Sequence, residues 1–315
     1  MSFFTGEVLD AAARRADGGL GGEPAVESGV REAIGRSYRT LGRPADAEPH
    51  LRRAVEERAG RLGPAHPDTL RAAGELARTV DDAGRWAEAE GLFRDAGRAA
   101  EAALGPDHPV ALDLRAGYAL ALHAHGRSDD GLERMAAVAA ARERVSGPDA
   151  RETLAAVNDL GVIRFERKEW AEAGRLLAAA YAGRGRVLGP AHPDTLESGN
   201  NLALAHEAGG RADAAEELLA EVAGRSERVR GAEHPDTLSA ASNLAHLMMR
   251  RGKPAEAAAR FRELHAAAAG AAGLGATHPL TLKLKHNLGM AQAGQRLYAD
   301  AERTLGEVAR VRQAV

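Results

Sequence analysis

Two residue types recur in this chain at spacings that suit chemistry. Histidine stands at 66, 108, 192, 234 and 278, each time followed by proline, in steps of 42, 84, 42 and 44 residues. Asparagine occurs five times, as Asn158, Asn200, Asn201, Asn243 and Asn287. Imidazole is the commonest metal ligand among side chains, and an amide both donates and accepts hydrogen bonds. The first set raises the question of a metal site, the second that of a polar recognition surface.

The metal reading fails on geometry. Each of these histidines belongs to a separate copy of one phrase, Leu188-Gly-Pro-Ala-His-Pro-Asp-Thr-Leu196, which stands again at 62–70 and in variants at 104–112, 146–154, 230–238 and 274–282. Ala150 replaces the histidine in the third copy. Neighbouring helices pack roughly 8–10 Å apart, whereas a zinc–nitrogen bond spans about 2 Å. No His-Glu-x-x-His segment occurs either. The sequence therefore assigns no metal and no cofactor.

The asparagines gather in two adjacent columns when the copies are aligned. They lie immediately before Leu160, Leu202, Leu244 and Leu288, with Asp159, Glu75 and Gly117 filling other cells. Asparagine is a poor residue inside a helix because its side chain competes for backbone hydrogen bonds. Its recurrence there has two readings: the amides tie neighbouring helices together, or they face a ligand.

Either reading requires elements that hold the columns in register. Self-similarity at 20–50 residues marks an array of supersecondary units. Between the phrases, each unit shows two segments with three- and four-residue apolar spacing, the signature of amphipathic helices. In one unit the apolar face reads Leu76, Ala77, Val80, then Gly84, then Trp86, Ala89, Phe93 and Ala96. In another it reads Leu202, Ala203, His206, then Gly209-Gly210, then Ala215, Leu219 and Val222. Small Ala77 and Ala89 let antiparallel helices approach, Phe93 fills the space between pairs, and Gly84 permits the reversal. The phrase itself is a junction: Gly189 stops one helix, Pro193 starts the next where its missing N–H costs nothing, and Asp194 suits the positive helix end.

The pattern Leu-Ala-x-x-Val, Gly-x-Trp-x-x-Ala, Phe-x-x-Ala resembles the tetratricopeptide repeat, in the 42-residue form found in kinesin light chains and many bacterial signalling proteins. The resemblance covers nearly the whole chain and implies an all-α, right-handed solenoid of about seven helix pairs. Six units are marked by the phrase, and an unmarked one precedes them, carrying Ile34, Gly35, Tyr38, Gly42, Ala47, Leu51 and Ala54. The expected organisation is one array over 1–315, with a short helix from about Phe4 to Ala16 and a Gly-rich joint within 1–22, then helix pairs over 23–315. Departures from the pattern are Gly131 for the second-helix alanine, Lys168 and Arg296 for the turn glycine, and two extra residues around 266–275. These predict local distortion within an unchanged fold.

The resemblance also bears on the amides. First helices line the concave groove in tetratricopeptide proteins, so the ladder Asn158, Asp159, Asn200, Asn201, Asn243 and Asn287 would project there and pair with the backbone of an extended peptide. By likeness to kinesin light chains, this suits the column of Asn201, Asn243 and Asn287 best. The ladder fails at Glu75 and Gly117, which favours the C-terminal half. His246, Arg250, Lys283 and His286 lie on or near the same helices and would favour an acidic peptide, although single surface cations such as Arg250 and Lys283 also suit a solvated face.

The opening residues, with 35–42 and 46–54, are similar to the entry of the tetratricopeptide region behind some bacterial serine/threonine kinases. This implies a second reading, a regulatory or sensory module answering a peptide or small molecule. The kinase motifs themselves are missing. Gly18 to Gly22 lacks the Lys-Ser/Thr of a phosphate loop. No serine stands in a nucleophile elbow, and the carboxylates are scattered. An enzyme is not expected.

Composition narrows the partners. A formal net charge of -3 and 3% aromatic residues argue against nucleic acid. The start carries neither signal peptide nor anchor pattern, and no apolar run is long enough to span a membrane. The absence of cysteine suits a reducing compartment. A soluble, cytoplasmic protein that binds protein or peptide is expected. The last pair runs nearly to Val315 with no polar closing helix after it, and solenoid ends need a polar cap. This predicts a shortened chain, a following domain, or self-association through that end.

Overall fold

The computed structural model describes residues 2–18, 24–271 and 273–314, and among them every regular element is an α-helix. The leading helix is α1 (Ser2–Asp17). In chain order follow α2 (Pro24–Thr40) with α3 (Pro44–Leu62), α4 (Pro67–Asp82) with α5 (Trp86–Leu104), α6 (Pro109–Ala124) with α7 (Ser128–Ser146), then α8 (Arg151–Glu166), and, as the start of the second compact unit, α9 (Trp170–Val187). Then come α10 (Pro193–Ala208) with α11 (Ala212–Arg230), α12 (Pro235–Arg250) with α13 (Pro254–Gly270), and α14 (Pro279–Gly294) with α15 (Tyr298–Ala314). By internal contacts the chain forms two compact units, Phe3–Arg167 and Lys168–Val315, divided in the turn after α8. The glycine-rich joint expected through 22 falls at 19–22 outside the described residues.

The repeated phrase makes each junction by a mechanism sharper than the spacing suggested. Its histidine is the N-cap: Nδ1 of His66, His108, His192, His234 and His278 accepts the backbone N–H two residues on, at 3.1–3.2 Å. That satisfies one of the donors every helix start leaves unpaired, and it fixes the neutral tautomer with the proton on Nε2. The threonine closes the turn in two copies, Thr69 Oγ1 donating to the Gly63 carbonyl and Thr195 Oγ1 to that of Gly189, both at 2.9 Å. An arginine near the end of the preceding helix, buried at 142 and 184 and half-buried at 58, holds the far side, Arg58 donating to the Asp68 carbonyl, Arg142 to Glu152 and Arg184 to Asp194, at 2.8–3.1 Å.

The core alternates small and large residues as the apolar spacing requires. In the first unit Ala77, Phe93 and Ala121 are buried together, flanked by Trp86, Leu92 and Tyr118. Burying the Phe93 ring contributes about 2–3 kcal/mol. On the leading helix, Ala13 and Ala16 pack on Ile34 and Tyr38, and Tyr38 Oη donates to Asp10 at 2.7 Å.

The departures from the pattern behave differently from one another. At Gly131 the change is a local tightening: a Cβ there would lie 2.7 Å from the Ala119 carbonyl oxygen, so the missing side chain lets α7 approach α6. Lys168 and Arg296 take the left-handed turn conformation, with φ of 63° and 64°, that Gly84 adopts at 79° in its own unit. They keep the backbone path at a steric cost of roughly 1–2 kcal/mol each. The two extra residues lengthen the connection after α13, which ends at Gly270, while α14 still begins at Pro279. On α15 the exposed positions are Tyr298, Ala299, Glu302, Arg303, Gly306, Ala309, Arg310, Arg312 and Gln313. Most of these side chains are polar, while Tyr298 at the start of the helix is 66% exposed and Leu297 before it 46%.

Candidate functional site

Within each unit the first helices of successive pairs touch: α2 with α4, α4 with α6 and α6 with α8 in one, α10 with α12 and α12 with α14 in the other. Second helices of successive pairs make no such contact among the described residues. First helices thus form the inner layer. In the second unit the stripe left outside the core runs through Glu197, Asn201 and Leu204 on α10, Ser239, Asn243, His246 and Arg250 on α12, and Lys283, His286 and Met290 on α14.

The structure separates asparagines that the alignment placed together. Asn287 is 5% exposed, and its Nδ2 donates to Ser242 Oγ at 3.4 Å, from α14 to α12. It ties two first helices. Asn158, in the first unit, is 2% exposed and lies beside Asp159, with Nδ2 3.5 Å from Asp159 Oδ1. Asn201 and Asn243 are half-buried on the inner stripe and make no hydrogen bond to a described residue. Asn200 is half-buried with its Oδ1 enclosed and unpartnered. Together Asn200 and Asn201 line a cavity of about 420 Å³ between α10 and α12, with Asp194, Glu197, Arg230 and Asp236 at its rim.

A tetratricopeptide repeat family model matches residues 30–102, 152–224 and 200–270, more than half of the sequence. The chain belongs to the tetratricopeptide-repeat family. No curated protein matches it by sequence. Among solved structures, a Podosopora anserina putative kinesin light chain with nearly identical TPR-like repeats is 28% identical, covering 65% of this chain and 96% of its own, with a TM-score of 0.60. BtubC (BKLC) from P. vanneervenii is 19% identical over 70% of this chain and 88% of its own, with a TM-score of 0.61. The apo quorum sensor NprR from B. thuringiensis is 11% identical over 98% of this chain and 82% of its own, at a TM-score of 0.68. These last two share the fold. The repeat is of the 42-residue, kinesin-light-chain-like type.

The charged residues of this tetratricopeptide face do not act as a simple basic strip. Arg250 forms a two-pronged ion pair with Glu207 of α10, so its charge is already compensated. His246 packs edge-on against Phe261 at 5.1 Å between ring centres. Burial, then the charges of Arg250 and Lys283, lower its pKa and keep it neutral at pH 7. Lys283 is exposed and unpaired, and His286 is half-buried. In the first unit the matching column holds Glu75, paired with Arg39 at 3.4 Å and Arg78 at 3.0 Å. No cluster of three or more metal-ligating side chains occurs among the described residues, and none of their helices is long and apolar enough to cross a membrane.

Sequence reasoning missed the histidine caps and the enclosed amide of Asn200. The caps were signalled by the recurrent His-Pro pair, since proline at the first helical position puts the preceding residue at the N-cap.

Proposed function

We infer that this tetratricopeptide protein is an interaction scaffold that holds an extended segment of a partner along the inner face of α10 and α12. The observation that carries this reading is the pair Asn201 and Asn243. Their amides are half-buried, unbonded and one repeat apart on neighbouring first helices. Buried and half-buried polar groups ordinarily find partners, and an asparagine side chain offers one acceptor and two donors. An extended peptide presents the complementary C=O and N–H groups along its backbone. Such contacts recognise chain direction and spacing more than side-chain identity, and the 420 Å³ cavity beside Asn201 gives room for one partner side chain. With Arg250 paired and His246 neutral, Lys283 is the remaining cation on this stripe.

The test is a peptide selected from a random library against the full chain, titrated into the wild type and the Asn201→Ala/Asn243→Ala variant. Two lost neutral hydrogen bonds at about 1 kcal/mol each predict roughly thirtyfold weaker binding. Unchanged affinity with an intact helical fold would refute the assignment.

A further inference from the structure

A different surface, outside the amide face, carries a cluster of four arginines. In the first unit a cavity of about 240 Å³ opens between α5 and α7 over α6, lined by Arg94, Arg98, Arg115 and Arg134 with Tyr118 and Phe93 at its base. Glu101 is the one carboxylate in its lining, and it reaches Arg115 only at 3.8 Å. Arg94, Arg98 and Arg134 form no ion pair within 4.0 Å among the described residues. Elsewhere in this unit arginines find carboxylates: Arg52 bridges Glu48 and Glu88, and Arg127 bridges Glu90 and Asp130.

The repeat supplies its own control. One period on, the residues equivalent to Arg94, Arg98, Arg115 and Arg134 are Ala136, Ala140, Val157 and Leu176, and a further period on they are Ala178, Ala182, Gly199 and Leu218. Other copies hold single charges in these columns, Arg52, Glu56, Arg260, Arg262 and Lys285, but the four arginines come together only in this one. Tyr118 likewise stands where Leu76, Leu160 and Leu202 stand in other copies. Its ring stacks near Phe93 at 6.0 Å and lies under the Arg134 guanidinium at 5.2 Å. Its hydroxyl donates to Glu90 at 2.8 Å, a carboxylate whose pKa is lowered first by that bond and also, more weakly, by the nearby charge of Arg94.

We propose that this cavity binds a phosphate group. Guanidinium is permanently charged, planar and bidentate toward phosphate oxygens, and three unpaired guanidinium groups with a fourth weakly held meet the charge of a dianion. The aromatic base gives whatever carries the phosphate an apolar floor. A cavity of this size exceeds the roughly 30 Å³ that one water occupies in the liquid and admits a phosphorylated side chain as well as free phosphate.

Isothermal titration of the full chain tests the site with three probes: inorganic phosphate, a short phosphoserine peptide, and the same peptide unphosphorylated. The expected result is saturable binding of one or both phosphate probes, weakening with added salt, and no binding of the third. Tighter binding of the peptide assigns a phosphorylated side chain as the ligand, and equal binding assigns the phosphate group alone. In an Arg98→Gln/Arg134→Gln variant, whose exposed side chains leave the core untouched, affinity should fall by about tenfold or more. Arg53→Gln/Arg71→Gln, two exposed arginines outside the cavity, should bind as the wild type does. Absence of phosphate binding at low salt, or equal loss in both double variants, overturns the proposal.

Discussion

His234 offers the most exacting test of how the repeats are joined. Its Nδ1 accepts the Asp236 backbone N–H at 3.2 Å, and no other side chain caps this start of α12. Replacing a side chain that caps a helix costs about 1 kcal/mol, and the partial exposure of His234 does not change the geometry of that bond. An opening free energy lower by this amount means roughly fivefold faster exchange of the Asp236 amide hydrogen in His234→Ala. The effect must vanish in acid, because a doubly protonated imidazole has no acceptor at Nδ1. Burial, then Arg230, already lowers the His234 pKa, and burial lowers those of His206, His246, His265 and His278. A lowered folded-state pKa means the unfolded chain binds protons more readily. The associated stability is complete above about pH 6.5 and declines as pH falls through the lower folded values. Hydrogen exchange followed by NMR at pH 7.5, and again at a pH where the His234 imidazole is seen by NMR to be protonated, reads both effects. An Asp236 amide equally protected in wild type and variant at pH 7.5, or a difference that persists once the imidazole is protonated, would refute the cap.

Five further substitutions separate causes that the sequence alone merges. Lys168→Gly and Arg296→Gly should each raise the urea midpoint, since relief of left-handed strain of about 1–2 kcal/mol exceeds the entropy cost of glycine of about 0.5–1 kcal/mol; a lower midpoint would contradict the strain. Gly131→Ala should destabilise by about 1 kcal/mol or more despite alanine's helix preference, because the Cβ meets a backbone oxygen at 2.7 Å, and thermal unfolding measures it. Asn287→Ala should cost about 1 kcal/mol by loss of the buried bond to Ser242, whereas Asn201→Ala should stay within about 0.5 kcal/mol; equal costs would remove the distinction between tie and ligand contact.

The architecture was legible because repetition over 42 residues turns one weak local pattern into a register, and the turn glycines, Ala77, Ala89 and Phe93 then fall where helix-pair packing needs them. The junction was half legible: proline and glycine announce helix ends, but an imidazole that caps a helix looks in sequence like a metal ligand. The division among the asparagines was hidden for a different reason. Asn243 and Asn287 occupy one column, and only packing against Ser242 decides that the second is enclosed. Arg250 read as a free cation because Glu207 lies 43 residues away, on the neighbouring first helix. The arginine cavity escaped notice since its four arginines come from three helices and share no column.

The central claim is that free amides on the inner layer are contact groups for an extended segment. A crystal structure of the full chain with a library-selected peptide tests it most directly. The account predicts peptide backbone within about 3 Å of the Asn201 and Asn243 side-chain amides, lying along α10 and α12. A peptide bound elsewhere, or one seated there with both amides untouched, would contradict it.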